Sequence, residues 1–274
     1  MKPNRKTPVD RKGALAVAGI AAAATILVAL MFCYEKLHEL WLEQCIVHDM
    51  NEQVTVTSGK MVKGDVITGE FGITNGANLA LIDFRRKREE ILRKIPNLRS
   101  ISVSRSLPDK VAIVSEERTP IAQLNYRGRR ATTGKVVDSE GVVFVCQRGT
   151  QMLPVIREMQ APGSSPGTRL SGRALAALRM IEVCREADFT ELGVQEIDIS
   201  KRDYLLATLG NYSRAKIAWE GFDGENSGRK KDIERQLSML LQAIRSRVAT
   251  GTVIWNATDT SSPGRVYADT KGAL

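Results

Sequence analysis

The feature that most constrains this chain is a run of 20 residues without a charge, Ala14–Cys33. As a helix rising about 1.5 Å per residue, such a run spans roughly 30 Å, the hydrocarbon thickness of a bilayer. A helix also satisfies its own backbone hydrogen bonds, which lipid cannot do. The sequence therefore predicts a single transmembrane helix over residues 13–34.

The charges on either side of this run predict its orientation. A basic cluster precedes it and Glu35 follows it, so the positive-inside rule makes residues 1–12 a short cytoplasmic tail and puts the rest outside. A cleaved signal peptide, or a lipoprotein signal ending at Cys33, is the alternative. Those signals need small residues at the cleavage site, whereas Phe32 and Tyr34 are bulky. The cluster consists of Lys2, Arg5, Lys6, Arg11 and Lys12.

The remaining composition argues against several classes of function. Formal net charge is +9, but beyond the N-terminal cluster the excess forms no block, which predicts no nucleic-acid partner. The two histidines, His38 and His48, have no metal-ligand spacing, and no nucleophile or phosphate-binding motif occurs. We therefore expect no enzymatic activity, cofactor, metal or small-molecule substrate.

The number and positions of the cysteines give only a weak indication of whether the chain forms a disulfide. Cys33 lies in the predicted span, whereas Cys45, Cys146 and Cys184 lie on the side where disulfides are possible. Since three is an odd number, we expect small buried hydrophobic residues. One disulfide is the alternative.

Residues 35–121 alternate between helical and strand patterns. Glu35–Asp49 continues the apolar helix as a juxtamembrane helix, assigned to residues 35–50. Gln53–Thr57 then predicts a strand, Val62–Phe71 and Asp83–Ile95 predict helices, and residues 101–116 predict a hairpin. The order is strand, helix, helix, strand, strand.

Residues 122–274 predict a second α+β unit large enough for its own core. Strands are predicted at Ile121–Tyr126, in a hairpin over 136–145, and near 194–199, 204–209, 215–219, 253–256 and 265–268. Helices are predicted after Ser171, which can act as N-cap, and over Lys230–Val248. Turns are predicted at residues 161–168, 221–228 and 261–264.

Several short motifs resemble those of a known family. The strand-helix-helix-strand-strand order just beyond a membrane anchor is that of a POTRA domain. In their order and spacing after one apolar helix, the fragments together resemble the bacterial cell-division family FtsQ/DivIB. The fragments are Asn75-Gly76-Ala77-Asn78-Leu79, Ile95-Pro96-Asn97-Leu98, Val103-Ser104-Arg105-Ser106-Leu107-Pro108, Glu117-Arg118-Thr119-Pro120-Ile121-Ala122, Val137-Asp138-Ser139-Glu140-Gly141-Val142-Val143-Phe144 and Leu153-Pro154-Val155.

The resemblance implies a fold and a role. The fold class is α+β: a transmembrane helix, a POTRA domain over 51–121, and a mixed "β domain" over 122–274 with an exposed C-terminal edge strand. The implied role is a non-enzymatic scaffold of the division septum, single-pass in the bacterial inner membrane, with its bulk periplasmic or extracytoplasmic. Implied partners are FtsB/FtsL-like proteins, which add a strand to the last strand, and FtsK-, FtsW- and FtsI-like proteins.

The predicted contact residues follow from this interpretation. Edge strands present unpaired backbone groups, and Tyr and Trp are favoured interface anchors. Ordinary packing in the core is the alternative for Trp255 and for Tyr267. In the POTRA domain, the basic run is a candidate for meeting an acidic partner or lipid headgroups, with a solvated helix face as the alternative. For the motif arginines Arg105 and Arg118, hairpin-stabilising salt bridges are the alternative to partner contacts. Candidates for partner binding are Trp255, Arg265, Val266, Tyr267 and Ala268, and those in the POTRA domain are Arg85, Arg86, Arg88 and Arg105.

Two other functions stay open at this point. A POTRA-type assembly or transport factor would need repeated POTRA units or a barrel of many alternating strands. A membrane-anchored extracytoplasmic sensor would need a cytoplasmic output domain, for which residues 1–12 are too short. Neither pattern is found in the sequence.

Overall fold

The computed structural model describes residues 11–106, 108–126, 134–146, 149–159, 165–220, 222, 227–246, 253–259 and 265–269. The helices are α1 (Arg11–Gln44), α2 (Met50–Gln53), α3 (Gly64–Phe71), α4 (Phe84–Lys94), α5 (Gly172–Cys184) and α6 (Ser227–Ser246). The first strands are β1 (Val54–Thr57), β2 (Leu98–Ser106), β3 (Lys110–Glu117), β4 (Ala122–Tyr126), β5 (Lys135–Val137) and β6 (Val143–Val145). The others are β7 (Val155–Met159), β8 (Glu196–Asp198), β9 (Leu205–Thr208), β10 (Arg214–Ile217), β11 (Ile254–Ala257) and β12 (Tyr267–Asp269).

The chain divides into two compact units. The first comprises the residues up to Thr57 together with Gly64–Lys87 and Ser102–Val114; the second comprises Ser58–Lys63, Arg88–Ile101 and Ser115 onwards. The predicted domain limit at residues 121 and 122 stays a prediction. The predicted tail up to residue 10 and the predicted turn at 261–264 lie outside the described residues.

Helix α1 runs without a break from Arg11 to Gln44. Its continuation beyond the apolar run was predicted, but it ends several residues before Asp49, because the following segment is extended. The N–H of Val47 bonds the Ala77 carbonyl at 2.9 Å, and the N–H of Leu79 bonds the Cys45 carbonyl at 2.9 Å. Within the described residues, no helix combines the length and the apolar character needed to cross a membrane.

The loop between α3 and α4 holds the end of α1. The side-chain amide of Asn78 donates to the Leu42 carbonyl at 2.9 Å, which satisfies an acceptor that the end of a helix leaves unpaired. Gly76 takes a positive φ of 87° in this loop, and its N–H bonds the Val47 carbonyl at 2.7 Å. Motif residues 75–79 therefore have a structural role at the end of α1.

The predicted order of strand, helix, helix, strand and strand is confirmed over residues 54–117. The three strands form a sheet in the order β1-β3-β2, with β1 parallel to β3 in the register Val54–Val111. Helix α4 begins where the Asp83 carboxylate accepts the N–H of Arg86 at 3.0 Å. Phe71 and Phe84 pack with ring centroids 5.5 Å apart, which joins α3 to α4 in the core of the first unit.

Nine described strands of the second unit form one mixed sheet in the order β12-β11-β10-β9-β8-β7-β4-β5-β6. Alternate residues such as Leu124, Ile156, Ile197 and Ala207 point to one face and join α5 and α6 in a single apolar core. The predicted helices and most predicted strands of this unit are confirmed within two or three residues. Strand β7 was not predicted, and Ser171 takes the N-cap position of α5 without a side-chain capping bond.

One residue on the inner face of α6 is polar although its surroundings are apolar. Gln236 is buried beside Ile233, Leu237 and Leu240, and neither atom of its amide has a hydrogen-bond partner among the described residues. A buried amide without partners costs about 1–3 kcal/mol. The helix therefore tolerates a polar group where an apolar one would pack better.

We expect Gln236→Leu to raise the free energy of unfolding by about 1–2 kcal/mol, because it removes an unpaired amide at similar volume. Urea unfolding followed by circular dichroism measures the change. Gln242→Leu, at an exposed position of the same helix, is the matched control and should gain nothing. A less stable Gln236→Leu variant would show that the amide is satisfied after all.

Candidate protein-interaction site

Strand β12 forms one edge of the nine-stranded sheet. It pairs antiparallel with β11 in the register Ile254–Asp269, Trp255–Ala268 and Asn256–Tyr267. Within the described part of the chain, its other side has no neighbouring strand. An open strand edge presents unpaired N–H and C=O groups to any extended chain that can pair with them.

The register decides which backbone groups of β12 are open. In the parallel pair of β10 and β11, Arg214 lies opposite Ile254 and donates its N–H to the Val253 carbonyl at 2.9 Å. Val253 and Trp255 therefore point their backbone groups toward β10, while Ile254 and Asn256 point theirs toward β12. It follows that Asp269 and Tyr267 are bonded to β11.

Backbone groups alternate in direction along a strand, so the N–H and C=O of Ala268 point away from the sheet. Sequence reasoning selected Ala268 as part of the edge, but it had no means of telling outward from inward backbone groups. That distinction needs the pairing of β10 with β11. Ala268 is thus the residue of β12 best placed to bond an added strand.

The side chains of the predicted edge residues alternate as expected. The Tyr267 side chain is 55% exposed, and its hydroxyl accepts a hydrogen bond from the Asn256 side chain at 3.0 Å. Val266 and Ala268 lie on the opposite face, partly buried against the core. Arg265 is exposed but precedes the strand, because its N–H bonds the Asp259 carboxylate at 3.1 Å. The strand is Tyr267–Asp269, so the predicted range Arg265–Ala268 is corrected by one to two residues.

Trp255 occupies a different environment from the other candidates. It is 4% exposed and packs within the core of the second unit. Its neighbour across the strand pair is Ala268, whose small side chain leaves room for the indole. Trp255 therefore supports the edge from inside, and its position favours packing over direct contact with a partner.

The basic candidates are all exposed, and Arg105 also contacts an aromatic ring. Arg85, Arg86 and Arg88 lie on the outer surface of α4. The guanidinium of Arg105 lies 5.3 Å from the centroid of the Phe84 ring, a cation–π contact. Arg105 therefore has a structural partner, while Arg85, Arg86 and Arg88 stay contact candidates because of their exposure.

Two further motifs meet in a buried ion pair. Nη1 of Arg118 donates to the carboxylate of Asp138, and these two side chains are 13% and 3% exposed. The same nitrogen lies 3.0 Å from the carboxylate of Glu140. Asp138 also accepts the backbone N–H of Val142 at 2.8 Å, which closes the hairpin turn. The sequence leaves a hairpin-stabilising salt bridge and a partner contact open for Arg118; the structure shows the salt bridge, which leaves Arg118 little capacity for a partner.

Glu140 links this pair to a more exposed arginine. Its Oε1 lies 2.9 Å from Nε of Arg99. Nη1 of the same arginine lies 3.3 Å from Oε1 of Glu116. Hydrogen bonds from Arg118, and then from Arg99, lower the pKa of Glu140 below its usual value. The cluster borders a surface cavity of about 320 Å³, but the charged groups of the cluster already pair with one another.

Glu117, beside Arg118, holds a second loop. Its carboxylate accepts the backbone N–H groups of Lys60, Met61 and Val62 at 3.0, 2.6 and 2.7 Å. A Cβ at Gly59 would collide with the Glu117 carboxyl group, so glycine is the residue that fits beside this carboxylate. The Glu-Arg motif is therefore structural at both of its charged positions.

The cysteines show no reactive site. All four are free thiols, and Cys45, Cys146 and Cys184 are buried, as predicted for small hydrophobic residues. Burial raises the pKa of Cys184 to about 12, which makes its thiol a poor nucleophile. Among the described residues, no group of three His, Cys, Asp or Glu side chains has the arrangement of a metal site.

Comparison with known proteins gives one relationship. No family model matches the chain. It is 28% identical over 117 residues to the cell division protein FtsQ of Streptomyces collinus, a match that spans 42% of each chain. Together with the motif order and the α+β architecture, this similarity supports a distant relationship to the FtsQ/DivIB family.

Proposed function

We propose that this protein is a non-enzymatic scaffold of bacterial cell division that holds other division proteins at the septum. The observation that carries the proposal is the open edge of β12, where the backbone of Ala268 points away from the sheet. The similarity to a cell division protein FtsQ supports the same role. The proposed partner is the FtsB/FtsL-like pair, which adds a strand along β12.

Strand addition agrees with the chemistry of the edge. Main-chain hydrogen bonds supply affinity in this mode of recognition, and alternate side chains supply specificity. Tyr267 is the side chain best placed for the second task, since it is exposed and held by Asn256. Val266 and Ala268 would meet the partner through their backbone, with their side chains against the core.

In this proposal the POTRA domain covers 51–121 and the β domain 122–274. The exposed arginines of α4, Arg85, Arg86 and Arg88, form a second surface. It suits acidic segments of FtsK-, FtsW- or FtsI-like partners. Helix α4 carries six basic and two acidic residues, so it attracts negative charge.

We also propose that α1 anchors the protein in the cytoplasmic membrane with its N-terminus inside. The support is the uncharged run Ala14–Cys33 within one continuous helix, and the exposure of its apolar side chains. Leu27, Leu30 and Phe32 are among them, each more than 60% exposed. Lipid would cover them at a gain of about 25 cal/mol per Å² of apolar surface.

The proposal is tested by locating a fluorescent fusion of the full chain in dividing cells and by co-purifying it with the FtsB/FtsL-like pair. We expect a band at mid-cell and recovery of the pair. Uniform envelope fluorescence without the pair would contradict the proposal. A fusion carrying Leu81→Asn, at an exposed position of the first unit, serves as the control and should give the same band and the same recovery as the parent.

A further inference from the structure

Tyr212 has an unusual backbone conformation at the tip of the β9–β10 hairpin. The loop Gly210–Tyr212 is closed by the N–H of Tyr212 on the Leu209 carbonyl and by the N–H of Leu209 on the Ser213 carbonyl, both at 2.9 Å. The third loop residue is left-handed, with φ of 62° at Tyr212. That position usually holds glycine, because a side chain there meets its own backbone.

The rest of the hairpin prevents Tyr212 from relaxing. The N–H of Gly210 bonds the Leu192 carbonyl at 3.1 Å. The Asn211 side chain accepts both the N–H and the hydroxyl of Ser213, at 3.0 and 2.6 Å. The ring of Tyr212 is nevertheless 76% exposed. A strained residue with an exposed ring adds little to the stability of the fold, which points to a role in function.

Met152 is a second exposed apolar residue on a fixed turn. Its side chain is 95% exposed at the tip of the turn Thr150–Leu153, which is closed by a 3.0 Å hydrogen bond. The side-chain amide of Gln123 donates to the Thr150 carbonyl at 2.5 Å and holds the turn against the sheet. Met152 is therefore presented rigidly.

The strand register places both residues at one end of the sheet. Tyr212 lies two residues before Arg214, which is opposite Ile254, which in turn is opposite Asp269 at the end of β12. With strands about 4.8 Å apart, β10 lies roughly 10 Å from β12. Met152 lies three residues before Val155, which belongs to the same row through Glu196 and Thr208. A partner segment that runs from the Asp269 end of β12 across this end of the sheet therefore reaches Tyr212 first and Met152 next.

The backbone of Gln195, which lies between the two turns, is already paired on both sides. Gln195 donates its N–H to the Thr208 carbonyl, and its own carbonyl accepts the N–H of Val155, both at 2.9 Å. Recognition at this end of the sheet must therefore use side chains. Tyr212 and Met152 are uncharged, so the matching surface is apolar.

We propose that the sheet end formed by Tyr212 and Met152 is a second contact for the partner that adds a strand to β12. It binds an apolar segment of the partner that adjoins the added strand at the Asp269 end. This inference rests on the proposed function. The site explains why the hairpin keeps a tyrosine where asparagine or glycine would fit with less strain.

The test compares Tyr212→Asn with the parent, using the full chain in nanodiscs and the purified FtsB/FtsL-like pair as probe. We expect the affinity to fall about tenfold, as for loss of an aromatic anchor, while the thermal midpoint stays equal or rises. Met152→Gln should weaken binding in the same direction. Leu81→Asn also removes an exposed apolar side chain and should leave the affinity unchanged.

Three results would overturn the inference. A Tyr212→Asn variant with a lower thermal midpoint would show that the ring serves the fold. Parental affinity in Tyr212→Asn, beside weakened binding in Ala268→Pro, would overturn the second contact alone and leave strand addition in place. Parental affinity in both variants would instead reject strand addition, and this inference with it.

Discussion

Ala268→Pro is expected to weaken binding of the FtsB/FtsL-like pair by about tenfold to a hundredfold. The proline ring removes the N–H that points away from the sheet, so a carbonyl of the added strand is buried unpaired, at about 1–3 kcal/mol. The bonds between β12 and β11 involve Tyr267 and Asp269, so they remain. Equilibrium binding of the full-length variant in nanodiscs measures the effect.

Two neighbouring variants make this test specific. Ala268→Ser keeps the backbone N–H and should bind like the parent. Tyr267→Pro removes a bond to β11 and should disturb the edge itself, visible as a lower thermal midpoint. A charge at Tyr267 should weaken binding without unfolding the sheet. Binding of Ala268→Pro at parental affinity would contradict strand addition at this edge.

Arg118→Ala is expected to lower the free energy of unfolding by about 3–5 kcal/mol, the usual result of breaking a buried ion pair. The substitution leaves the Asp138 carboxylate buried at 3% exposure with backbone donors only. It also removes the Arg118 hydrogen bond to the Pro96 carbonyl at 3.1 Å. Urea unfolding of the parent and the variant gives the difference.

The matched control is Arg99→Ala, which removes an arginine of the same cluster whose side chain is exposed to solvent. Its effect should be much smaller, because water screens exposed pairs. A loss in Arg118→Ala no larger than in the control would show that the buried pair does not stabilise the hairpin.

The same cluster predicts a dependence on pH. The pKa of Glu140 is lowered in the folded state, chiefly by its hydrogen bond from Arg118. Its contribution is therefore complete above the unfolded value, near 4.3, and is lost as the pH falls through the folded value. The parent should thus lose stability in acid more steeply than Arg118→Ala.

Much of the fold follows from local patterns in the sequence. The alternation in Val54–Thr57 and the apolar stripe of α6 predict their elements, because each buries one face. Strand β7 was missed because its charges hide the apolar pattern expected of a central parallel strand. Arg157 is neutralised across the sheet by Glu196 at 3.1 Å, and Glu158 has a positive φ of 64°. Neither feature is visible before the strands are paired.

The candidate site was only partly predictable for a similar reason. Tyr267 could be selected because an aromatic residue in a terminal strand suits an interface. Trp255 was selected on the same ground, with core packing as its alternative, and it lies in the core, since residue type alone does not tell which face of a strand is covered. The outward backbone of Ala268 and the strained Tyr212 depend on register and on turn geometry, and both arise from contacts between distant residues.

The most direct measurement is residue-resolved amide hydrogen exchange across β12, with and without the FtsB/FtsL-like pair. In the free protein we expect slow exchange at Tyr267 and Asp269 and fast exchange at Ala268, because only Ala268 points its N–H away from β11. Addition of the pair should slow exchange at Ala268 and leave its two neighbours nearly unchanged. An Ala268 amide that exchanges equally fast in the complex would contradict capture of the partner by strand addition at this edge.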